Sequence, residues 1–252
     1  KSTPQDGRSM VLIAGKKIDI RISTAPTIQG EKIVMRLLYQ DEKLMHLKQL
    51  GLAKYISKPY IRMVNSSGGI ILVTGPTGSG KTTTLYASLA EIDHEARNVI
   101  TIEDPVEYKL SGYSQIEVKP KLGLSFANAL RSVLRQDPDV IMVGEMRDTE
   151  TAQIAIQSAL TGHLVFSTVH TNSAPATITR LIDMGIEPFL VSSTIIGVLS
   201  QRLVRRICID CKESYKPHPE QLRELGIKEQ SFSKISKNFF RGKGCNKCRN
   251  TG

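Results

Sequence analysis

Ile70-Ile-Leu-Val-Thr-Gly-Pro-Thr-Gly-Ser-Gly-Lys-Thr82 decides the fold: an apolar run of strand type breaks into a glycine-rich loop and restarts on Lys-Thr. Gly75 to Thr82 matches G-x-x-x-x-G-K-[ST] in full, between a predicted strand and a predicted helix, as a phosphate-binding loop requires. Glycines at 75, 78 and 80 let the backbone wrap closely, so that successive N–H groups and the helix N-terminus face phosphate oxygens. Lys81 would reach the β- and γ-phosphates, and the Thr82 hydroxyl would ligate Mg²⁺. The candidate nucleotide-contacting set is Gly75, Pro76, Thr77, Gly78, Ser79, Gly80, Lys81, Thr82 and Thr83. The plain alternative is an ordinary glycine-rich turn.

Around this loop, short apolar segments alternate with amphipathic ones. Asn98-Val-Ile-Thr-Ile102, Val140-Ile-Met-Val-Gly144 and Leu164-Val-Phe-Ser-Thr-Val169 read as strands, and Thr149 to Leu160 as a helix. Ser125 can cap another helix, whose Phe126, Leu130, Val133 and Leu134 follow the 3.6-residue period. The alternation predicts a mostly parallel sheet covered by helices. Upstream, Met10 to Ile13, Lys17 to Ile22 and Lys32 to Leu38 are β-type segments separated by Gly15 and by Pro26 to Gly30, which suggest part of a small sheet domain. Leu44 to Val64 reads as helix punctuated by Gly51 and Pro59. The expected domains are a partial sheet domain over 1–40, a linker and helical lead-in over 41–65, the nucleotide-binding core over 66–205 and a C-terminal module over 206–252.

With 252 residues and 40% hydrophobic content, the chain can bury a substantial core, which argues against general disorder. No run approaches the roughly 20 apolar residues that cross a bilayer, and the polar start at Lys1 to Gly7 is unlike a signal peptide, so a cytoplasmic protein is expected. The chain reads as a piece of something longer. Its net charge of +10 suits nucleic acid, an acidic lipid surface or nucleotide phosphates, or else is a solvated basic surface.

Three candidate side chains stand at strand ends, which in a parallel sheet share one edge with the phosphate loop. Glu145, in Gly144-Glu-Met-Arg-Asp148, could orient or deprotonate an attacking water; a lone Glu there is otherwise usually solvated. Glu103, in Glu103-Asp-Pro-Val-Glu107, could bind Mg²⁺ or water, or simply belong to a capped turn. His170, in Ser167-Thr-Val-His-Thr-Asn172, is the third, although a single His is more often structural.

Cys208-Ile-Asp-Cys211 and Cys245-Asn-Lys-Cys248 form two Cys-x-x-Cys knuckles with 33 residues between them. Four thiolates can close a tetrahedral structural Zn²⁺ site. The spacer is longer than that of common ribbons and fits a module with a helical excursion near Pro219 to Leu225; a redox pair is the weaker reading.

These motifs together resemble the GspE/PilB family of type II secretion and type IV pilus assembly ATPases, over almost the whole chain. The family marks are Gly75 to Thr82 as Walker A, Thr101-Ile-Glu-Asp-Pro-Val-Glu107 as the Asp box, Gly144 to Asp148 as an atypical Walker B, and the His box around His170. The resemblance implies an α/β fold with a RecA-like P-loop NTPase core, ATP as substrate with Mg²⁺, a catalytic carboxylate at Glu145 and a supporting role for Glu103. Pro4-Gln-Asp-Gly-Arg8, Asp19-Ile-Arg21 and Gly30 to Arg36 are similar to the second N-terminal domain, which lies over the nucleotide, so Arg21 and Arg36 are the implied arginine fingers. Taken singly, such arginines are more often exposed or salt-bridged. The tetracysteine module resembles that of the extension and secretion motors, whereas retraction motors lack it. The resemblance further implies a homo-hexamer at the cytoplasmic face of the bacterial inner membrane, meeting a platform protein and its adaptor, with a possible acidic phospholipid contact. Nucleic acid is disfavoured, because only 5% of residues are aromatic and there is no Trp to stack on single strands.

Overall fold

The computed structural model describes residues 3–39, 45–227 and 239–252. Residues 41–44 of the expected lead-in lie outside them. Two compact units result, Lys1–Arg202 and Leu203–Gly252.

The first unit opens on a three-stranded antiparallel sheet, β1 (Gln5–Ile13), β2 (Lys16–Thr27) and β3 (Gly30–Tyr39). A two-residue turn joins β1 to β2 with positive φ at both Ala14 (49°) and Gly15 (77°), the backbone sense that matches strand twist. The strands run further than the sequence suggests: β2 continues through Pro26, which pairs with Glu31 beside the second turn. The turns fix the register, so Arg8 lies opposite Arg21, and Arg21 opposite Arg36. Directly opposed residues share a face, which puts three arginines abreast.

Helix α1 (Lys54–Val64) follows. Gly51, in left-handed conformation at φ 76°, marks the break before it, whereas Pro59 does not end it. The expected helix from Leu44 is therefore shorter at its start. A proline forfeits one backbone bond, and the buried Tyr60 and Val64 hold the helix past that point.

The main sheet has six parallel strands in the order β6 (Ser114–Glu117), β5 (Val99–Glu103), β7 (Val140–Val143), β8 (Leu164–Val169), β4 (Gly69–Thr74) and β9 (Ile195–Ser200). Side chains alternate across it. Ile70, Leu72, Ile141, Val143 and Val165 pack with α3 (Phe126–Val133), α4 (Thr149–Leu160), α5 (Ala174–Asp183) and α6 (Pro188–Thr194), while Ile71, Val73, Met142 and Phe166 pack with α1 and α2 (Lys81–Leu89). Covering both faces explains why these strands are continuous apolar runs rather than alternating ones. Ser125 caps α3 by accepting from the Asn128 N–H, and Asp148 caps α4 through Thr151.

The second unit contains an antiparallel pair, β10 (Lys212–Tyr215) and β11 (Phe239–Gly242), with Tyr215 set edge-on to Phe239, and a short helix α7 (Pro219–Glu224).

Candidate functional site

Because all six strands of the main sheet run parallel, their carboxyl ends form one edge. Register sets the levels along it. Thr74 pairs with Val169 and with Ser200, so Gly75 opens the phosphate loop level with His170 and Gln201. Val143 pairs with Ser167 and with Ile102, which brings Glu145 and Glu103 to the same rim.

The loop has the shape of an anion cradle. Gly75 sits at φ 146° and Gly80 at φ 84°, conformations that favour glycine. A Cβ on Gly75 would also strike the Gln201 carbonyl oxygen. The first helical bond of α2 runs from the Thr84 N–H to the Gly80 carbonyl at 3.0 Å. The N–H groups of Lys81, Thr82 and Thr83 therefore have no acceptor one turn back in the helix. Ser79 is buried and its hydroxyl has no partner among the described residues. Lys81 folds back so that Nζ donates to the carbonyls of Gly75 (2.9 Å) and Pro76 (3.0 Å), the posture of a lysine curled over its own loop. Burial lowers the affinity of Lys81 for its proton, and the charge of Glu145 partly offsets that. Orphaned N–H donors, a buried hydroxyl and a cation suit a nucleotide's phosphates, and Thr82 on the first turn is where a metal-binding hydroxyl would stand.

Glu145 and Glu103 have different environments. The Glu145 side chain is 12% exposed; Oε2 lies 2.6 Å from Arg147 Nε and 3.5 Å from His170 Nε2. Thr168 brackets it, donating its hydroxyl to the Gly144 carbonyl (2.7 Å) and accepting the Met146 N–H at its own carbonyl (3.0 Å). Thr74 does the same for His170: its hydroxyl donates to the Val169 carbonyl (2.8 Å) and accepts from the Thr171 N–H (3.0 Å). Glu103 is buried and accepts from the Tyr86 hydroxyl, the Thr101 hydroxyl (2.6 Å) and Gln115 Nε2 (3.2 Å). Burial, and then the Glu103 charge, push the Tyr86 phenol far above its usual range, so it stays a donor. One carboxylate thus keeps an open side at the rim, and the other is occupied within the protein.

Arg21 and Arg36 line a cavity of about 640 Å³ together with Arg8, Asp104 and Glu117, and Arg21 Nη2 donates to the Val106 carbonyl at 3.4 Å. They lie beside the Asp-box segment, and among the described residues no hydrogen bond or ion pair ties either to the phosphate loop. The sequence assigns Arg8 no role of its own, yet Asp19 grips it through Nε (2.8 and 2.9 Å) and Nη2 (2.7 Å). Counting back across the Ala14-Gly15 turn would have found it. Gln201 was passed over too, and no local motif marks it.

In the second unit the four Cys Sγ atoms lie within 4.8 Å of one another. Cys208 to Cys245 and Cys211 to Cys248 are 3.9 Å apart, and Cys245 to Cys248 is 3.7 Å. A tetrahedron with Zn–S bonds of about 2.3 Å has edges of about 3.8 Å. The N–H groups of Cys245 and Gly252 each donate to Cys248 Sγ at 3.2 Å, and backbone hydrogen bonding, the Cys245 contribution first, draws that thiol down to about 6. Burial pushes the Cys211 thiol the other way, up to about 12, so it is the tetrahedral spacing of the four sulfurs that fits a metal.

Residues 1–252 match the family model described as Type II/IV secretion system protein. The chain belongs to that family. It is 51% identical to the type II secretion system ATPase E of Vibrio cholerae over 252 residues, covering 100% of this chain and 49% of that protein. It is 50% identical to the type IV pilus assembly ATPase PilB of Thermus thermophilus, again over all of this chain but 28% of PilB. The chain spans about half the length of the type II secretion relatives it matches. Among solved structures, the pilus retraction motor PilT with bound ADP superposes with a TM-score of 0.64 at 37% identity, covering 81% of this chain and 60% of that one. The DotB ATPase of Yersinia pseudotuberculosis superposes at 0.68 with 27% identity, covering 92% of this chain and 67% of that one. Membership and these likenesses agree with the α/β core carrying a parallel sheet.

Proposed function

We propose that this chain is the ATP-hydrolysing part of a motor that drives pilin or pseudopilin assembly in a type II secretion or type IV pilus machine. The observation that carries the reading is the shared sheet edge, where a cradle of phosphate-type N–H groups and Lys81 stands level with the open-sided carboxylate of Glu145. The loop N–H groups and Lys81 hold the β- and γ-phosphates of ATP. The Thr82 hydroxyl would hold Mg²⁺, which would supply positive charge against the phosphates. Glu145 orients the attacking water, with Arg147 and His170 fixing its carboxylate. Glu103 supports the site from behind, through Tyr86 on α2. Arg21 and Arg36 act as arginine fingers when the small sheet closes over the nucleotide.

The region 1–40 is part of a larger sheet domain, a reading supported by the apolar side chains Ile13, Ile33, Met35 and Leu37 that β1 and β3 leave exposed. The Cys208, Cys211, Cys245 and Cys248 cluster holds one structural Zn²⁺ that staples the second unit. Among the described residues no helix is long and apolar enough to cross a membrane. The motor works as a hexameric ring at the cytoplasmic face of the inner membrane, against a platform protein and its adaptor.

Steady-state phosphate release from ATP tests the reading. Turnover that depends on Mg²⁺ and is indifferent to DNA is the expected result. Strong stimulation by DNA would instead make the chain a nucleic-acid translocase, and binding without turnover would make it a nucleotide-gated structural subunit.

A further inference from the structure

We propose that Gln201 is a positioning residue that clamps the phosphate loop to helix α2, an inference that rests on the nucleotide-binding reading above. Gln201 follows the last residue of β9, as Gly75 follows the last residue of β4, and the two strands pair through Ser200 and Thr74. Its backbone N–H donates to the Thr74 carbonyl at 2.9 Å, and its own carbonyl fills the space that a side chain on Gly75 would need. Its side chain then reaches the far end of the loop. Nε2 donates to the Ser79 carbonyl at 2.6 Å, and Oε1 accepts the Thr84 hydroxyl at 2.8 Å.

A carbonyl oxygen can only accept, so the Ser79 contact fixes which way the amide faces. Glutamine meets both demands at once, with a donor for the loop and an acceptor for the helix. The chemistry explains why the clamp matters. A phosphate cradle needs its N–H groups turned inward, and a peptide that rotated would aim a carbonyl dipole at the anion instead. Holding the Ser79 carbonyl outward with a hydrogen bond keeps that peptide in the productive sense. The glycines of the loop supply little restraint of their own, so an external anchor reduces the ordering that binding must impose.

The anchor is itself braced. The Ser88 hydroxyl donates to the Thr84 carbonyl at 2.7 Å and lies 2.9 Å from the Tyr60 hydroxyl. Tyr60, Thr84 and Ser88 are all buried, and burial pushes the Tyr60 phenol up to about 12, so it stays protonated. A continuous polar chain therefore runs from α1 through α2 and Gln201 to the loop.

ADP binding to the full chain, measured calorimetrically, tests this. Gln201→Ala weakens ADP by about tenfold, the loss expected when a buried carbonyl and a buried hydroxyl both lose their partner. Gln201→Glu weakens it further, because a carboxylate meets the Ser79 carbonyl and adds negative charge near the phosphates. In turnover, KM for ATP rises while kcat stays within about threefold, since the clamp serves bound phosphate in the ground state and the transition state alike. Thr84→Val, which deletes only the donor to Oε1, weakens ADP by about threefold, and Thr84→Ser recovers that loss. ADP affinity of Gln201→Ala within about twofold of wild type, with an unchanged melting curve, would overturn the inference. So would a Gln201→Ala variant that fails to fold beside a folded Thr84→Val that binds as wild type does. A wild-type chain that takes up no ADP overturns the nucleotide reading itself, and this inference with it.

Discussion

Glu145→Gln and Glu103→Gln make the same chemical change in two environments, and the structure predicts opposite phenotypes. Glu103 is buried and accepts three hydrogen bonds, from Tyr86, Thr101 and Gln115. An amide removes the charge that strengthens all three and turns one acceptor into a donor, so that either the Tyr86 hydroxyl must reverse or Gln115 Nε2 loses its acceptor. At roughly 1 kcal/mol for each lost charge assistance, the cost is about 3 kcal/mol. For a chain of this size that lowers the melting temperature by about 6 to 12 °C. Glu145 loses only its contacts with Arg147, whose side chain is 68% exposed, and with His170. Its change in stability should stay within about 1 kcal/mol. Its kcat should fall by about 10² to 10⁴, the worth of a positioned base, while ADP binding persists. Scanning calorimetry and phosphate release on both variants are the assay. If Glu103→Gln melts as wild type and is catalytically dead, while Glu145→Gln turns over normally, the two boxes have been assigned in reverse.

Lys81→Ala should lose ADP binding at the calorimeter's detection limit, and binding within about threefold of wild type would remove the lysine from the phosphate site. Burial lowers the proton affinity of Lys81 and Glu145 raises it. ADP affinity should therefore decline on the alkaline side at a lower pH than an ordinary lysine would give, and Glu145→Gln should move that decline to lower pH still. A pH profile that does not move refutes the coupling. Elemental analysis should find one zinc per chain, and a strong chelator should melt the second unit while ADP binding survives; intact cysteines without metal, melting as before, would exclude the staple. Arg21→Ala and Arg36→Ala should each lower kcat by about 10³ with little change in ADP affinity, and turnover within about threefold of wild type returns that arginine to a surface role.

What the sequence made legible follows from burial. Val140–Val143, Leu164–Val169 and Gly69–Thr74 are fully buried on both faces, so they stand out as apolar runs against polar helix termini such as Ser125 and Asp148. The last strand did not stand out. Ile195–Ser200 begins on the residue after α6 ends, with no glycine or proline to punctuate the change, and several of its side chains are only partly buried. Glu103 and Glu145 looked alike as acids at strand ends, because what separates them is the company of Tyr86 and Gln115, set by packing rather than spacing. Gln201 was least legible of all. Its partner carbonyl lies 122 positions earlier, and a backbone oxygen has no signature in a sequence.

The arginines of the small sheet show how the fold could turn chemistry into motion on the reading proposed here. Like charges directly opposite one another on a sheet repel, yet Arg8, Arg21 and Arg36 stand in one row. Asp19 answers Arg8 with both carboxylate oxygens. Arg21 and Arg36 have a poorer counter-charge: the Glu107 carboxyl, raised by burial and then by Glu103, is lowered again by these two guanidiniums. Glu107 and the Val106 carbonyl are makeshift partners beside a γ-phosphate, which offers more charge and geometry that suits a guanidinium fork. ATP in the loop would therefore draw the sheet inward. Loss of phosphate would return the two arginines to mutual repulsion and a shared carboxyl, so the closed state would lose its reason to persist at the step where the chemistry ends.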